Sequence, residues 1–405
     1  MTTTLSPQTT LNLDWLLQPF DAQTFIGEHW DQKLLHLQQR AGDFYQELFS
    51  LAAVDEVLQT GGWTPDELIV VKQGKHDGGD YLKADGLPNM AKLFEAFYQQ
   101  GKTLQLYGVE KRHPGVAALC RQLERCFHQH AHATIFFTPP GCNGLNTHFD
   151  TKDAFILQIS GRKHWLVYEH AMAWPSRVSD RFKVAPENYG ELLVDATLQP
   201  GDLMYVPRGM LHAPSTHDEL SLHLTIGFDS VTWFDVFQEA LERARATMPE
   251  MRQAIRPDQF ENPQSDLLQE QATRLANQML TGAAPSDIIQ QFRRNLHERT
   301  PAPADGHFRW LERLQHLDGH DRLRHREGVH PWVTVDDQQS DIIFAGGSVR
   351  GPASLADAMN FIATTPEFQV SAIGGGLSEN AKVLLARRLI ISGLLTFSEP
   401  GTVHT

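Results

Sequence analysis

Three side chains in the middle of the chain have the types and spacing of a metal site. His148 and Asp150 are two positions apart, and alternate residues of a β-strand face the same side, so both can reach one point. His212 follows a short apolar run and a Pro-Arg-Gly turn, where it can supply a third ligand. Two imidazoles and one carboxylate leave other coordination positions of a metal ion open. This ligand set is the facial triad of non-haem Fe(II) oxygenases.

The His-x-Asp pair alone is a weak indicator, because the chain contains 20 histidines and 49 acidic residues. Taken by itself, the pair is more simply explained as two partly exposed strand residues. The position of His212, after a Gly-Asp-strand-Pro-x-Gly run in a β-rich segment, favours a metal site instead.

The segment around these residues is typical of a β-rich domain. Short apolar runs rich in branched and aromatic side chains are separated mostly by turns that contain proline or glycine. The runs are Ile135–Phe137, Phe155–Leu157, Trp165–Tyr168, Leu203–Val206 and Leu220–Ile226. Short strands divided by tight turns predict a sandwich or a double-stranded β-helix.

The segments that carry these residues closely resemble the JmjC-type ribosomal oxygenases, and the resemblance covers nearly the whole chain. The matching segments are Asn143–Asp150, Phe155–Trp165, Pro200–His212 and Ser221–Thr225. The resemblance implies an α+β fold. In that fold a double-stranded β-helix of the JmjC or cupin jelly-roll type is followed by a helical dimerisation region and a C-terminal winged-helix domain. It also implies Fe(II)- and 2-oxoglutarate-dependent hydroxylation of a His or Arg side chain in a ribosomal protein.

The resemblance assigns roles to individual residues of this sequence. It implies that His148, Asp150 and His212 bind Fe(II), and that Lys163 pairs with the distal carboxylate of 2-oxoglutarate. Thr134 is expected to donate a hydrogen bond to the same co-substrate. The role of Lys163 also has an independent basis, because a dicarboxylate held at a metal by one end needs a cation at the other. The alternative for Lys163 is a solvated lysine in a Gly-Arg-Lys turn.

The sequence departs from the family pattern at three positions. Many members have Asn and Tyr where this chain has Thr134 and Phe136, and Phe136 cannot donate a hydrogen bond. Gly227 stands where some members carry a hydroxyl residue. These departures affect the contacts to 2-oxoglutarate or to substrate rather than the metal triad, and they leave room for a different substrate.

The resemblance and the local patterns divide the chain into three parts. We expect residues 1–230 to form the JmjC domain with an N-terminal helical and mixed extension, residues 231–320 to form the helical dimerisation region of a homodimer, and residues 321–405 to form the winged helix. In the last part, Ser354 and Ser378 are predicted to cap two helices, because serine hydroxyls accept hydrogen bonds from the first turn of a helix.

Composition limits the other function classes. The chain has 35 basic and 49 acidic residues, a net charge of −14, which argues against direct nucleic-acid binding. It has no apolar run of about 18 residues, so we expect no membrane span. The three cysteines have no Cys-x-x-Cys spacing, and the first residues do not look like a signal peptide. The cytoplasm is therefore the expected location.

The sequence is compatible with several alternatives. His128, His130 and His132 alternate and could form a second metal site, although exposed residues at a helix-to-strand junction are the simpler explanation. His223 could support the metal site or only pack in the core. The same oxygenase chemistry could act on a biosynthetic peptide or a small metabolite. A non-enzymatic cupin-like scaffold that binds a partner is the alternative from a different class.

Overall fold

A computed structural model describes residues 11–72, 74–142, 145–179, 184–216, 218–301 and 307–398. Asn143 and Gly144 of the first matching segment lie outside the described residues. The chain divides into two compact units, residues 1–230 and 231–405.

The first unit is built from two antiparallel sheets and a set of helices. Its helices are α1 Leu13–Leu17, α2 Ala22–Thr24, α3 Leu51–Gln59, α4 Met90–Phe94 and α5 Pro114–Phe127. Its strands are β1 Leu35–Leu37, β2 Leu68–Lys72, β3 Lys75–His76, β4 Thr103–Tyr107, β5 His130–Thr138, β6 His148–Phe149, β7 Asp153–Gly161, β8 Lys163–His170, β9 Leu192–Leu198, β10 Leu203–Val206, β11 Met210–Ser215 and β12 Ser221–Asp229. Within the described residues the larger sheet has the order β1-β10-β7-β12-β5-β4-β2-β3, and the smaller has the order β6-β11-β8-β9.

The two faces of the larger sheet bury different side chains because successive residues of a strand point to opposite sides. On β7, Phe155 and Leu157 belong to the main core, which also contains the N-terminal helices. Ile156, between them in sequence, belongs instead to a second apolar cluster with Trp165 and Val167 of the smaller sheet. The space between the two sheets, where this second cluster lies, is also where the candidate site is found.

Helix α5 leads directly into the strand that forms one wall of the site. Pro114 occupies the first turn, where its missing N–H costs nothing, and the His113 ring accepts a hydrogen bond from the Val116 N–H at 3.4 Å. The helix ends at His128, whose φ of 52° is left-handed, and β5 begins two residues later. This short connection sets which residues of β5 face inward.

The second unit combines helices with two small sheets. Its helices are α6 Trp233–Thr247, α7 Pro257–Glu261, α8 Asp266–Gly282, α9 Pro285–Arg299, α10 Leu311–Gln315, α11 Ala356–Thr364 and α12 Glu379–Ile391. Its strands are β13 Arg322–His325, β14 Trp332–Val335, β15 Gln339–Phe344, β16 Gly347–Pro352, β17 Glu367–Gln369 and β18 Leu395–Phe397. The sheet orders are β17-β13-β18 and β14-β15-β16.

The two predicted caps in the second unit have different outcomes. Ser378 caps α12, since its hydroxyl accepts the Ala381 N–H at 3.3 Å, which confirms the prediction. The prediction for Ser354 is wrong, because a 3₁₀ turn over Ala353–Leu355 precedes α11 and moves its start beyond the serine.

Helix α6 leaves a row of large apolar side chains exposed. Its buried residues are Val236, Ala240 and Ala244, so the small side chains face the unit. The exposed residues are Trp233, Phe234, Phe237 and Leu241, at 64%, 73%, 46% and 48% exposure. Contiguous exposed apolar surface of this kind is typical of an interaction site.

Candidate metal centre

The two histidines of the predicted triad are brought together by strand pairing. His148 on β6 lies directly opposite His212 on β11 in an antiparallel pair, and their ring centroids are 4.4 Å apart. Asp150 follows β6 by one residue, and its carbonyl accepts a hydrogen bond from the Gly209 N–H at 2.8 Å. His212 therefore shares one site with residues that are 62 and 64 positions away in the chain.

The ligand atoms of the three side chains converge on one point. Nε2 of His148 lies 3.7 Å from one carboxylate oxygen of Asp150, and Nε2 of His212 lies 3.7 Å from the other. All three ligand atoms lie within 4.8 Å of one another. Because metal–nitrogen and metal–oxygen bonds are about 2.1 Å long, such atoms can share one ion.

Backbone carbonyls orient both imidazoles. Nδ1 of His148 lies 2.7 Å from the Asn146 carbonyl oxygen, and Nδ1 of His212 lies 3.1 Å from the Met210 carbonyl oxygen. A carbonyl can only accept, so Nδ1 carries the proton in each ring and the Nε2 lone pair is directed to the centre. This is the usual arrangement around metal-bound histidines.

A buried charged network fixes the turn that precedes His212. The Arg208 guanidinium donates two hydrogen bonds to the Asp31 carboxylate, at 2.8 and 2.9 Å. The Arg208 N–H and the Tyr205 hydroxyl both donate to Asp153, at 3.4 and 3.0 Å. Burial, together with the nearby Asp31 carboxylate, raises the pKa of Asp153. The network ties the turn to the start of β7, three residues after Asp150.

The triad lies in a pocket between the two sheets, and Lys163 lies in the same pocket. Lys163 is only 3% exposed, so the alternative of a solvated turn lysine is wrong. Its Nζ donates to the Thr138 hydroxyl at 3.2 Å, and no carboxylate of the described residues is paired with it. Burial lowers the pKa of Lys163 to about 7. A buried ammonium without a counter-ion favours an anionic ligand.

The other residues singled out by the sequence line the same pocket. Thr134 is buried on its wall, and the Phe136 ring stacks on the His223 ring with centroids 4.9 Å apart. Burial, with Lys163 and His212 nearby, holds the pKa of His223 well below its usual value. His223 therefore both packs on Phe136 and faces the site as a neutral ring.

The three alternating histidines do not form a second metal site. Among the described residues, the triad is the one group of three or more His, Cys, Asp or Glu side chains whose ligand atoms lie close enough to hold an ion. His130 contacts the Glu124 carboxylate at 2.7 Å, and His128 ends α5. His132, which we expected to be exposed, instead lines the pocket.

His132 and Lys152 are the site residues that the sequence did not reveal. Nζ of Lys152 lies 3.3 Å from Nε2 of His132 and 2.9 Å from the Asp229 carboxylate. Burial, with the Lys152 ammonium beside it, lowers the pKa of His132 to about 4. Gly227 lies opposite His132, and a Cβ atom there would be 2.8 Å from two ring atoms of the histidine.

The part of the chain that carries this site resembles known proteins. Residues 109–236 match the model of the JmjC domain. The chain is 30% identical over 249 residues to the mosquito (Aedes aegypti) "Bifunctional lysine-specific demethylase and histidyl-hydroxylase NO66", covering 60% of this chain and 39% of that protein. It is 26% identical over 446 residues to zebrafish (Danio rerio) "Ribosomal oxygenase 1", covering 96% of this chain and 80% of that protein. The chain thus spans about two fifths of the length of the mosquito relative.

The fold has a counterpart among solved structures. The X-ray structure of Escherichia coli ycfD superimposes with a TM-score of 0.58 at 17% identity, over 94% of this chain and 98% of that one. Another structure of the same bacterial protein contains cobalt and 2-oxoglutarate, with a TM-score of 0.56. The likeness shows the same overall fold.

Among the described residues, no helix has the length and apolar character needed to cross a membrane.

Proposed function

We propose that this chain, which matches the JmjC domain over residues 109–236 and is similar to ribosomal oxygenases, is an Fe(II)- and 2-oxoglutarate-dependent hydroxylase of a ribosomal protein side chain. The observation that carries the proposal is the presence, in one pocket, of a His148–Asp150–His212 triad and a buried Lys163 that is paired with no carboxylate of the described residues.

The donor set fits Fe(II). Two neutral imidazoles and one carboxylate would hold the ion on one face and leave its other positions open. With iron and 2-oxoglutarate bound, one atom of dioxygen goes to succinate as carbon dioxide is lost, and the other goes into a substrate C–H bond. The chain itself supplies geometry and a water-poor surrounding.

Lys163 fits the far carboxylate of 2-oxoglutarate. Its Nζ lies at the Thr138 end of the pocket. The buried ammonium is unfavourable without a counter-ion, and an incoming carboxylate would form an ion pair with it. Trp165, Ile156 and Val206 also line the pocket, so apolar surface helps to exclude water from the reacting groups.

The ribosomal substrate is supported by the relatives. Their names describe ribosomal oxygenases and a histidyl-hydroxylase, which supports a histidine side chain of a ribosomal protein as the target. Arginine is the second target that we propose, because the family resemblance of the sequence implies histidine or arginine. Such a substrate is made in the cytoplasm, which is the location that we propose. With a net charge of −14, we propose recognition of the protein substrate rather than direct nucleic-acid binding.

We propose further that residues 231–320 form the interface of a homodimer. The exposed Trp233, Phe234, Phe237 and Leu241 of α6 support this, because a second copy would bury them. Helix α8 likewise has no buried residue within the chain. We assign residues 321–405 to a winged helix, supported by α11, α12 and the β14-β15-β16 sheet.

Two linked experiments test the function. Purified enzyme with Fe(II), 2-oxoglutarate and ribosomal proteins from a strain that lacks the gene should add one oxygen, about 16 Da, to a single protein. In the absence of substrate it should form succinate slowly, and His148→Ala should abolish this. His76→Ala, at an exposed position on β3, is the matched control and should keep wild-type succinate formation. Succinate formation that persists in His148→Ala would refute the triad assignment.

A further inference from the structure

The pocket has two ends with different exposure. Inward-facing residues of β5 follow one another from Thr138 through Phe136 and Thr134 to His132, a distance of about 20 Å at ~3.3 Å per residue. Lys163 lies at the Thr138 end and is 3% exposed. Lys152 lies at the His132 end, and its side chain is 37% exposed. The Lys163 end is therefore closed, and the Lys152 end is open.

The proposed function assigns the closed end to 2-oxoglutarate, so the substrate side chain must enter from the open end. The polar groups that line this part of the pocket include the Lys152 ammonium, the His132 imidazole and the hydroxyls of Tyr107, Thr134 and Thr225. Of the described residues that line the pocket, Asp150 carries the sole carboxylate, and the metal would occupy it. Asp229 is held in an ion pair by Lys152 at 2.9 Å.

These groups distinguish between histidine and arginine, the two target side chains that the proposed function allows. A guanidinium has only donors and needs a carboxylate partner when it is buried. Among the residues that the structure describes, it would find an ammonium of the same sign and no available carboxylate. A neutral imidazole, or another uncharged group with an acceptor, can accept a hydrogen bond from Lys152 without any charge to compensate.

We infer that Lys152, supported by His132 and Asp229, selects a neutral, acceptor-bearing side chain such as that of histidine and excludes arginine. This inference rests on the proposed function, because it assumes that the metal and 2-oxoglutarate occupy the triad and the closed end. Gly227 is part of the arrangement, since any Cβ atom there would collide with the His132 ring that contacts Lys152.

The test uses probes that differ in charge and little else. The protein is loaded with Mn(II) and 2-oxoglutarate, and Mn(II) broadening of side-chain proton resonances is measured at pH 8 for N-acetylcitrullinamide and N-acetylargininamide. Citrulline replaces the guanidinium of arginine with a neutral urea of the same shape, and N-acetylhistidinamide is a third probe. We expect the citrulline and histidine probes to bind at least about tenfold more tightly than the arginine probe, because an unpaired charge costs more than ~1.4 kcal/mol.

Variants of Lys152 complete the test. Lys152→Gln should lose the preference, and Lys152→Glu should reverse it in favour of arginine. Lys83→Glu, at an exposed position outside the pocket lining, should keep it. Equal or stronger broadening of the arginine probe in the wild type would overturn the inference, and so would an unchanged preference in Lys152→Glu or no broadening of any probe. Loss of Mn(II) or 2-oxoglutarate binding in the same samples would instead refute the proposed function.

Discussion

The affinity for 2-oxoglutarate should depend on pH through Lys163. Burial lowers the pKa of its ammonium to about 7, so the free enzyme carries this charge below pH 7 and loses it above. The bound dicarboxylate requires the charged form, and above pH 7 binding must take up a proton. Each pH unit above the pKa costs about 1.4 kcal/mol, so affinity at pH 9 should be roughly 100-fold weaker than at pH 6.

Two substitutions of Lys163 show how far the affinity for 2-oxoglutarate depends on the charge of this side chain and how far on its packing. Lys163→Met should weaken 2-oxoglutarate binding by about 10- to 100-fold at pH 6, since it removes a charge-assisted hydrogen bond of ~1.5–3 kcal/mol. Lys163→Arg keeps its charge at all accessible pH values, so its affinity should vary little with pH. Lys111→Met, at an exposed position, is the matched control.

Calorimetric titration of the Mn(II)-loaded protein with 2-oxoglutarate measures these affinities without turnover. Thermal unfolding provides the second readout. The pKa of Lys163 is lower in the folded chain than its usual value of 10.5, so the lysine costs stability below pH 7 and this cost disappears as the pH rises towards 10.5. Lys163→Met should therefore be at least as stable as the wild type at pH 6. A wild-type affinity that does not change from pH 6 to pH 9, or a Lys163→Met variant with wild-type affinity, would show that Lys163 does not bind 2-oxoglutarate as a buried ammonium.

Three further predictions concern the surroundings of the site and the second unit. Arg208→Lys removes the paired hydrogen bonds to Asp31 and should weaken Mn(II) binding by about 10-fold in a metal titration, with unchanged affinity counting against a positioning role. Gly227→Ser should lower hydroxylation of the protein substrate and leave the 2-oxoglutarate requirement unchanged, and adding His132→Ala should restore activity if the collision is the cause. Phe234→Glu should convert a dimer to monomers in analytical ultracentrifugation, and a dimer that persists would place the interface elsewhere.

The local part of the site could be predicted because it depends on strand geometry. His148 and Asp150 are close in sequence, and His212 follows a recognisable strand and turn. Turn residues and apolar runs also identified the strands of the β-rich segment, and the predicted β7, β8 and β10 are confirmed. Predicting these features requires only the alternation of side chains along a β-strand and the residue preferences of turns.

The rest depends on register and on contacts between distant residues. His132 shares a face of β5 with Thr134, two residues on, but the local sequence does not indicate that β5 pairs with β12 or that His132 lies opposite Gly227. The Arg208–Asp31 contact joins residues 177 positions apart, so no spacing rule could find it. The Ser354 cap failed because a 3₁₀ turn competes with the α-helical start.

A titration with Mn(II) measures whether the triad binds a metal ion. We expect one tight site per chain, strengthened by 2-oxoglutarate and lost in both His148→Ala and Asp150→Ala, while His76→Ala binds like the wild type. An absent site, or a site of unchanged affinity in the two triad variants, would contradict it.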